Sequence, residues 1–286
     1  MAATDSTIPA DVPAGLLELA RTARRVEVFT GAGMSAESGL ATFRDARTGM
    51  WSHVDPQAMA NFDAWRRDPS AIWPWYLWRA RLARNASPNA GHVAIGRWRR
   101  ALADHGAAVR TVDPGAASSW LHITTQNIDD LHERGCDEAG ADRHAAHLHG
   151  SLLEFRCDLC GATAEEPELP AEPVAKLMPP FCGECGLGFV RPGVVWFGES
   201  LPAHAFAEAE SRAMSADLMV VVGTSGVVYP AAGIPLAAAA NGVPVVELSP
   251  EDTDLTPHVA LSWRTTAATG LPALAEAAIA GLRAAG

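Results

Sequence analysis

The stretch RVEVFTGAGMSAESG, residues 25–39, decides the fold class. Its first six residues are rich in β-branched and aromatic side chains and predict a short strand. The Gly-Ala-Gly that follows predicts a tight turn into a helix, which is how a dinucleotide-type βαβ unit begins. We expect Gly31 and Gly33 to let backbone N–H groups approach an anion at a helix N-terminus, with Phe43 and Arg44 closing over the ligand. The spacing departs from Gly-x-Gly-x-x-Gly, so a strand-to-helix turn without a ligand is the competing interpretation.

The same order of elements recurs near the end of the chain, in residues 216–249. An apolar run at 218–222 predicts a buried strand, and Gly-Thr-Ser follows it. An alanine-rich helix is expected at about 230–241 and another strand within 242–249. Strands that alternate with helices predict an α/β fold, here a Rossmann-like parallel sheet with helices on both faces.

Two regions interrupt this alternation. Residues 45–100 are rich in tryptophan and predict a helical module, whereas residues 152–192 hold four cysteines and much proline and predict a small lobe. Residues 111–120 are expected to form a surface loop before the strand that starts at Leu121. The remaining segments are assigned to the sheet domain and to a disordered leader: 14–44, 101–151 and 193–286, with the leader at 1–13.

Composition limits the function classes. The 286 residues are 48% hydrophobic, and 22 Lys and Arg against 33 Asp and Glu give a net charge of −11. A nucleic-acid binder normally carries a basic surface, so we expect none here. No apolar run reaches the ~20 residues of a membrane span, and the leader lacks the basic and apolar regions of a signal peptide. We therefore expect a cytoplasmic monomer that binds neither nucleic acid nor membranes.

The sequences CDLC and CGEC form two cysteine pairs with 21 residues between them. Two such knuckles are typical of a tetrahedral structural zinc site, which four thiolates close completely. The predicted ligands are Cys157, Cys160, Cys182 and Cys185. A thioredoxin-like C-x-x-C or free thiols are the alternative. The separate Cys136 is expected to be a buried thiol.

Six motifs occur in a fixed order along the chain. They are GAGMSAESGLATFR (31–44), TQNIDDLHE (125–133), LHGS (148–151), the cysteine pairs, RPGVVWFGE (191–199) and VVGTS (221–225). Together they resemble the sirtuins, which are NAD-dependent protein lysine deacylases, over about residues 26–272. The resemblance implies that the chain transfers the acyl group of a modified lysine onto ADP-ribose. The products would be nicotinamide and 2′-O-acyl-ADP-ribose.

The resemblance also implies the catalytic residues His149, Asn127 and Asp129. A histidine suits the base that takes a proton from a ribose hydroxyl, because it titrates near neutral pH. Amides donate and accept hydrogen bonds, whereas carboxylates only accept, and this mixture suits ribose hydroxyls and a carboxamide. We expect His144 and His147 to face solvent, in preference to a three-histidine metal site. Asp130 and His132 are expected to open the next helix.

The resemblance implies a larger set of NAD-binding residues. These are Gly31, Ala32, Gly33, Ser35, Phe43, Arg44, Trp51, Gln126, Asn127, Ile128, Asp129, Gly223, Thr224, Ser225, Ser249, Glu251 and Ala267. Many relatives have Asn-x-Glu where this chain has Ser249-Pro250-Glu251. A serine offers fewer hydrogen-bonding groups to an adenosine ribose, so we expect a lower affinity for NAD.

The acyl group is predicted from Tyr76 and Arg79, three positions apart and on one helical face. They resemble the Tyr-x-x-Arg of sirtuins that remove succinyl, malonyl or glutaryl groups, since a cation and a hydroxyl suit a carboxylate. Ala60 would leave room for the acyl chain, and some deacetylation is expected. Alternatively, Tyr76 and Arg79 only lie on the surface of the helical module. The predicted acyl-lysine channel, which would pair with the substrate as an added strand, is Val195, Trp196, Phe197, Gly198 and Glu199.

Two further functions remain open at this point. Some sirtuins transfer ADP-ribose to proteins, a reaction that uses the same cleavage of NAD. A non-catalytic zinc module that reads modified lysines or senses NAD is the other possibility. The combination of His149 with Asn127 and Asp129 argues for catalysis.

Overall fold

The computed structural model describes residues 12–40 and 56–285. Phe43, Arg44, Trp51 and most of the expected leader at 1–13 lie outside the described residues. None of the helices in the described ranges combines the length and the apolar composition needed to cross a membrane.

The described residues form two sheets. The strands are β1 (Arg25–Thr30), β2 (Trp120–Thr125), β3 (Ala146–His147), β4 (Gly150–Cys157), β5 (Thr163–Ala164), β6 (Val190–Val194), β7 (Leu218–Val222), β8 (Val245–Leu248) and β9 (Leu261–Trp263). Within the described ranges, a parallel sheet has the order β3-β2-β1-β7-β8-β9, and an antiparallel sheet has the order β5-β4-β6. The expected Rossmann-like sheet is confirmed.

Helices connect the strands of the parallel sheet. They are α1 (Ala14–Thr22), α2 (Gly33–Ala36), α3 (Pro56–Met59), α4 (Phe62–Arg67), α5 (Pro69–Asn85), α6 (Ala90–Val112), α7 (Leu131–Ala139), α8 (Ala203–Ser215), α9 (Gly233–Ala240) and α10 (Ala267–Ala285), with a 3₁₀ turn at Thr256–His258. The expected helix at 230–241 is therefore shorter at its start. The expected loop at 111–120 is reduced to 113–119 by the end of α6 and the start of β2.

Both faces of the parallel sheet are covered. Alternate residues of β1 point to opposite faces, as the two-residue period of a strand requires. Val28 lies in a cluster with Trp98 of α6 and Leu274 of α10. Phe29 lies in a second cluster, with Ala209 of α8. The sheet is thus a buried middle layer, and ligands are left access only at its edges and at the ends of its strands.

A third apolar cluster joins the tryptophan-rich helices to the cysteine lobe. Trp65 of α4, Trp73 of α5 and Phe155 of β4 are buried together, with Trp196 from the segment after β6. The ring centroids of Trp65 and Trp196 are 5.2 Å apart. Helices α4 and α5 therefore pack on the antiparallel sheet rather than standing apart from it.

The expected boundary of the helical module at residue 100 falls inside α6. This helix begins after Asn89, whose side-chain oxygen accepts the N–H of Gly91 at 2.9 Å. From its first turns it buries Ile95 and Trp98 in the core of the parallel sheet. The segment 90–100 therefore belongs to the sheet domain. Composition does not reveal this boundary, because the tryptophans of the helical module and the tryptophan of α6 follow one another in sequence.

Three glycines bring the ends of β1 and β7 into direct backbone contact. Gly31 donates its N–H to the carbonyl of Val222 at 3.0 Å, and Gly33 donates to the carbonyl of Gly223 at 2.8 Å. A Cβ on Gly223 would lie 2.5 Å from the carbonyl carbon of Gly33 and from the nitrogen of Met34. Gly223 also has a φ of 61°, a conformation that L side chains rarely adopt. Only glycine permits this approach.

We predict that Gly223→Ala destabilises the protein by about 2–5 kcal/mol, since a left-handed alanine costs about 1–2 and an overpacked contact about 1–3 kcal/mol. Gly233→Ala is the matched control, because a Cβ there meets nothing within 4 Å. Denaturant unfolding measures both variants. Equal stability of Gly223→Ala and Gly233→Ala would contradict the importance of this contact.

Candidate functional site

A cavity of about 680 Å³ opens where β1, β2 and β7 end. Neighbouring connections leave in opposite directions here, since the chain passes from β1 to β2 on one side and returns to β7 on the other. Such switch points are where open α/β sheets bind ligands. The predicted residues that line the cavity are Gly31, Ala32, Gly33, Ser35, Ala60, Tyr76, Arg79, Gln126, Asn127, Ile128, Asp129, His149, Val195, Trp196, Phe197, Gly198, Glu199, Gly223, Thr224, Ser225, Ser249 and Glu251.

One residue expected to bind NAD lies apart from the cavity. Ala267 does not line it: it is buried at the start of α10, where a Cβ on Gly91 would lie 2.6 Å from its carbonyl oxygen. The N–H groups of Gly31 and Gly33 bond to the carbonyls of Val222 and Gly223, so an N–H offered to an anion must come from a residue beside them. Helix α2, which begins at Gly33, is a single turn.

A buried polar cluster forms where β2 ends. The Ser35 hydroxyl donates to Asp129 Oδ2 at 3.0 Å and accepts from Asn127 Nδ2 at 3.1 Å. Asp129 Oδ1 accepts the N–H of Leu131 at 3.1 Å. Burial raises the pKa of Asp129, although the backbone N–H of Leu131 and the Ser35 hydroxyl oppose the change. The cluster fixes Asn127 and Asp129 to helix α2, which contains Ser35.

Gln126 connects the two halves of the site. Its Nε2 donates to the Thr224 hydroxyl at 2.9 Å, across the ends of β2 and β7. Its carbonyl oxygen lies 3.0 Å from Nδ1 of His149. A carbonyl only accepts, so Nδ1 must carry a proton and a neutral ring keeps its lone pair on Nε2. Burial lowers the pKa of His149, which favours the neutral ring. The arrangement suits a general base.

The other polar residues of the motif at 125–133, and the histidines near His149, lie around the loop at 126–129. Asp130 precedes α7 and pairs with Arg134 at 2.9 Å, and His132 is buried with Nε2 2.8 Å from the Thr30 hydroxyl. Both residues therefore belong to the start of α7, as expected. His144 is exposed, also as expected. The expectation for His147 is wrong, because both ring nitrogens are hydrogen-bonded, to the Asn127 carbonyl and to Glu133, at 2.8 Å each.

Arg79 lies in the wall of the cavity without an acidic partner among the described residues. Its guanidinium carbon is 4.7 Å from the ring centre of Trp75, and its buried Nη1 has no hydrogen-bond partner within the described ranges. Burial lowers the pKa of Arg79, opposed by Tyr76 and Asp129. An arginine nevertheless stays protonated in proteins. A half-buried cation that forms no salt bridge within the described ranges favours an anionic ligand group here.

Tyr76 is fixed beside Arg79 on the same helix. Its hydroxyl accepts the indole N–H of Trp196 at 2.8 Å, and burial raises the pKa of Tyr76 to about 12. The phenol therefore keeps its proton, which it can donate to a ligand. Tyr76 is 3% exposed, so the alternative in which it lies on the surface of the helical module is wrong.

The segment Val195–Glu199 closes another wall of the cavity. Val195 donates its N–H to the His149 carbonyl at 2.8 Å, and Phe197 donates to the Ala60 carbonyl at 2.9 Å. The Glu199 carboxylate accepts from Arg191 at 2.8 Å and from the N–H of Trp196 at 2.9 Å. Glu199 thus stabilises the bend of this segment with its side chain. Its carboxylate is engaged within the protein.

Sequence reasoning missed several residues of the wall. Trp75, Trp78, Leu82 and Ala83 line the cavity on the face of α5 that carries Arg79. Their helical spacing with Arg79 was a signal that could have found them. Val227 and Tyr229 also line the cavity and are 44% and 66% exposed. No periodic pattern distinguishes these two, since they lie in the loop after β7.

The four predicted cysteines lie together in the small lobe. The Sγ atoms of Cys157 and Cys185 are 3.7 Å apart, and those of Cys160 and Cys182 are 3.8 Å apart. All four sulfurs lie within 4.8 Å of one another. Sulfurs bound tetrahedrally at about 2.3 Å from zinc would be separated by about 3.8 Å. The residues therefore fit one structural zinc ion with no open position. Cys136 is fully buried outside this cluster.

The fold and the site define a class: a Rossmann-like α/β protein with its ligand cavity at the switch point of the sheet and a four-cysteine zinc lobe. Residues 31–230 match the model of the Sir2 family. An NAD-dependent protein deacylase of Corynebacterium glutamicum is 54% identical over 259 residues, which cover 90% of this chain and 93% of that protein. The chain belongs to the Sir2 family.

Solved structures agree with this assignment. A crystal structure of a Sir2 homologue in complex with NAD is 36% identical, with a TM-score of 0.79 and a coverage of 95% of both chains. A mutant Sir2 homologue in complex with 2′-O-acetyl ADP ribose is also 36% identical. Its TM-score is 0.78, and the match covers 94% of this chain and 98% of the other.

We predict that the purified protein contains one zinc ion per chain and that Cys182→Ser removes it. The loss leaves three thiolates around a metal that folds the lobe, so the variant should also unfold at a lower temperature. Metal analysis by mass spectrometry and thermal melting measure the two effects. Cys136→Ala is the control, since this thiol lies outside the cluster and its loss should leave the zinc content at one. Retention of zinc by Cys182→Ser would contradict the assignment.

Proposed function

We propose that the protein is an NAD-dependent protein-lysine deacylase that prefers succinyl- and malonyl-lysine and retains some deacetylase activity. The products would be the free lysine, nicotinamide and 2′-O-acyl-ADP-ribose. Membership of the Sir2 family and the activity named for the C. glutamicum relative support the reaction. The observation that carries the acyl preference is Arg79, whose buried Nη1 has no partner in the described part of the chain.

The donor set of the cavity fits NAD. Hydroxyls and amides of Thr224, Ser225, Gln126 and Ser249 line it, and such groups can both donate to and accept from ribose hydroxyls. Its volume of about 680 Å³ is within the range of small-molecule sites. When bound, NAD would supply the electrophilic ribose carbon that takes the acyl oxygen and releases nicotinamide.

His149 would act as the base of this reaction. Its Nδ1–H bond to the Gln126 carbonyl fixes the ring orientation and leaves Nε2 to accept a proton from a ribose hydroxyl. Asn127 and Asp129, held together by Ser35, would orient the sugar beside this nitrogen. The chain thus supplies orientation and a proton acceptor.

Arg79 and Tyr76 would bind the acyl carboxylate. The cation and the phenol proton come from one face of α5, and Trp196 fixes the phenol by its indole N–H. A hydrogen bond with a charged group contributes ~1.5–3 kcal/mol, so two of them would favour an acidic acyl group by roughly a hundred- to ten-thousandfold. An acetyl group would fit the same pocket without these bonds.

We infer no other function from the site. Transfer of ADP-ribose to protein would use the same cavity, but no contact of the described residues favours it. A non-catalytic reader would not need the His149 tautomer set by Gln126. Incubation of the protein and NAD with a panel of acyl-lysine peptides tests the proposal, with nicotinamide and peptide mass followed together. Gain of ADP-ribose instead of loss of the acyl group would replace it.

We predict that Arg79→Met lowers kcat/KM for a succinyl-lysine peptide between about ten- and a hundredfold, because one charged hydrogen bond is lost. Deacetylation of the matched acetyl-lysine peptide should change little. Arg84→Met is the control on the same helix, since Arg84 is exposed and pairs with Glu166. Equal losses on both peptides would show that Arg79 does not read the acyl carboxylate.

We predict that kcat/KM falls at acidic pH with an apparent pKa below 6.5. The base works only when neutral, and burial lowers the pKa of His149 from its ordinary 6.5, so the active form persists to lower pH. His149→Gln should cost about 10²–10⁴ in rate and abolish this acidic limb. Steady-state kinetics from pH 5 to about 8 measure both effects. An unchanged limb in the variant would exclude His149 as the base.

A further inference from the structure

His147 and Glu133 form a pair beside the cavity that the proposed mechanism does not use. His147 ends β3, and Glu133 lies in the first turn of α7. Nε2 of His147 is 2.8 Å from a Glu133 oxygen, and the two side chains are 18% and 15% exposed. Nδ1 of His147 is 2.8 Å from the carbonyl oxygen of Asn127. The ring is thus clamped between a helix and the polar loop.

The two partners of this ring cannot both be satisfied by a neutral histidine. The Asn127 carbonyl and an ionised Glu133 only accept hydrogen bonds, whereas a neutral imidazole has one N–H. Both bonds form when the ring carries two protons and pairs as a cation with the Glu133 carboxylate.

The charged surroundings agree with a protonated ring. Glu133 approaches from α7 and Asp129 from the loop, and the neighbouring imidazoles of His132 and His149 both have lowered pKa values. Burial lowers the pKa of His147, but the hydrogen bond and charge of Glu133, the Asn127 carbonyl and the charge of Asp129 outweigh it. The pKa of His147 is therefore raised above 6.5.

The position of this cation links it to the active loop. His149 donates to the Gln126 carbonyl, and His147 donates to the next carbonyl along the chain, that of Asn127. The Asn127 side chain donates to Ser35 on its other side. Two histidines of one chain segment therefore hold two successive peptide groups of the loop.

We propose that His147, kept as an imidazolium by Glu133, is a positioning residue that orients the Asn127 peptide and with it the cluster at 126–129. When His147 loses its proton, a lone pair faces either the carbonyl or the carboxylate, and one of the two bonds breaks. The loop then holds the sugar less firmly, so turnover falls at alkaline pH. This consequence for turnover rests on the proposed function, whereas the protonation state of the ring does not.

Nitrogen-15 NMR of the histidine-labelled protein tests the protonation directly. We expect both ring nitrogens of His147 to be protonated at mildly acidic pH, with a titration midpoint above 6.5. Loss of the signals in His147→Ala, and their retention in His144→Ala, assigns them. A His147 titration midpoint at or below 6.5 would overturn the proposal, whatever the enzyme does.

Kinetics with NAD and a succinyl-lysine peptide test the positioning role. His147→Ala should raise KM for NAD by about ten- to a hundredfold, the equivalent of one charged hydrogen bond. The exposed neighbour variant His144→Ala should behave as the wild type. Unchanged KM and an unchanged pH profile in His147→Ala would overturn the proposal.

The variant Glu133→Gln removes the negative charge beside His147 and keeps a hydrogen-bonding side chain of similar size in its place. The glutamine amide can donate to Nε2 of a neutral ring, which still donates Nδ1–H to Asn127. Activity near neutral pH should therefore persist, and the alkaline fall should disappear. A Glu133→Gln enzyme with the alkaline limb of the wild type would overturn the proposal. If the wild type itself turns over no acyl-lysine peptide, the proposed function fails, and the NMR titration still decides the state of His147.

Discussion

The architecture of the site depends on one backbone contact, between Gly31 and Gly33 after β1 and Gly223 after β7. Parallel strands present their carboxyl ends at one edge, but their loops need room to pass each other. Here the loops pass without intervening side chains, through two N–H bonds of 2.8 and 3.0 Å. This closeness places Thr224 within reach of Gln126 and the start of α2 within reach of Asp129.

The sequence predicted the strands of the sheet more closely than its helices. The β-branched and aromatic run at 25–30 and the apolar run at 218–222 coincide with β1 and β7, because strands buried on both faces carry such residues along nearly their whole length. Helix α6 was divided wrongly, since its tryptophan resembles those of α5 although it packs on the other core. Composition indicates which residues are buried, but it does not indicate which core they pack in.

For the site, residue spacing and the resemblance to a known family predicted most of the residues that line the cavity. They did not predict the hydrogen bonds of these residues. The cysteine pairs could be recognised from the sequence because two cysteines that bind the same zinc ion from one tight turn must be separated by a short, fixed number of residues. His147 could not be judged from the sequence, because its two partners come from α7 and from the loop at 126–129. The same holds for Glu199, whose carboxylate meets Arg191 from the neighbouring strand β6. Protonation and pairing are decided by tertiary contacts, which local patterns do not contain.

The distribution of charge around the cavity separates two tasks. At the end proposed to hold the sugar, burial favours a neutral His149, and Glu133 supplies an acceptor for the cation proposed at His147. At the end proposed to hold the acyl group, Arg79 is half-buried against Trp75 and forms no salt bridge within the described ranges, and its buried, unpaired Nη1 costs stability. Stacking on the indole offsets part of this cost, because a guanidinium is attracted to an aromatic face. The unpaired guanidinium leaves hydrogen-bond donors unsatisfied in the cavity wall. Under the proposed function, the acyl carboxylate would bind to these donors and remove the free-energy cost of leaving them unpaired.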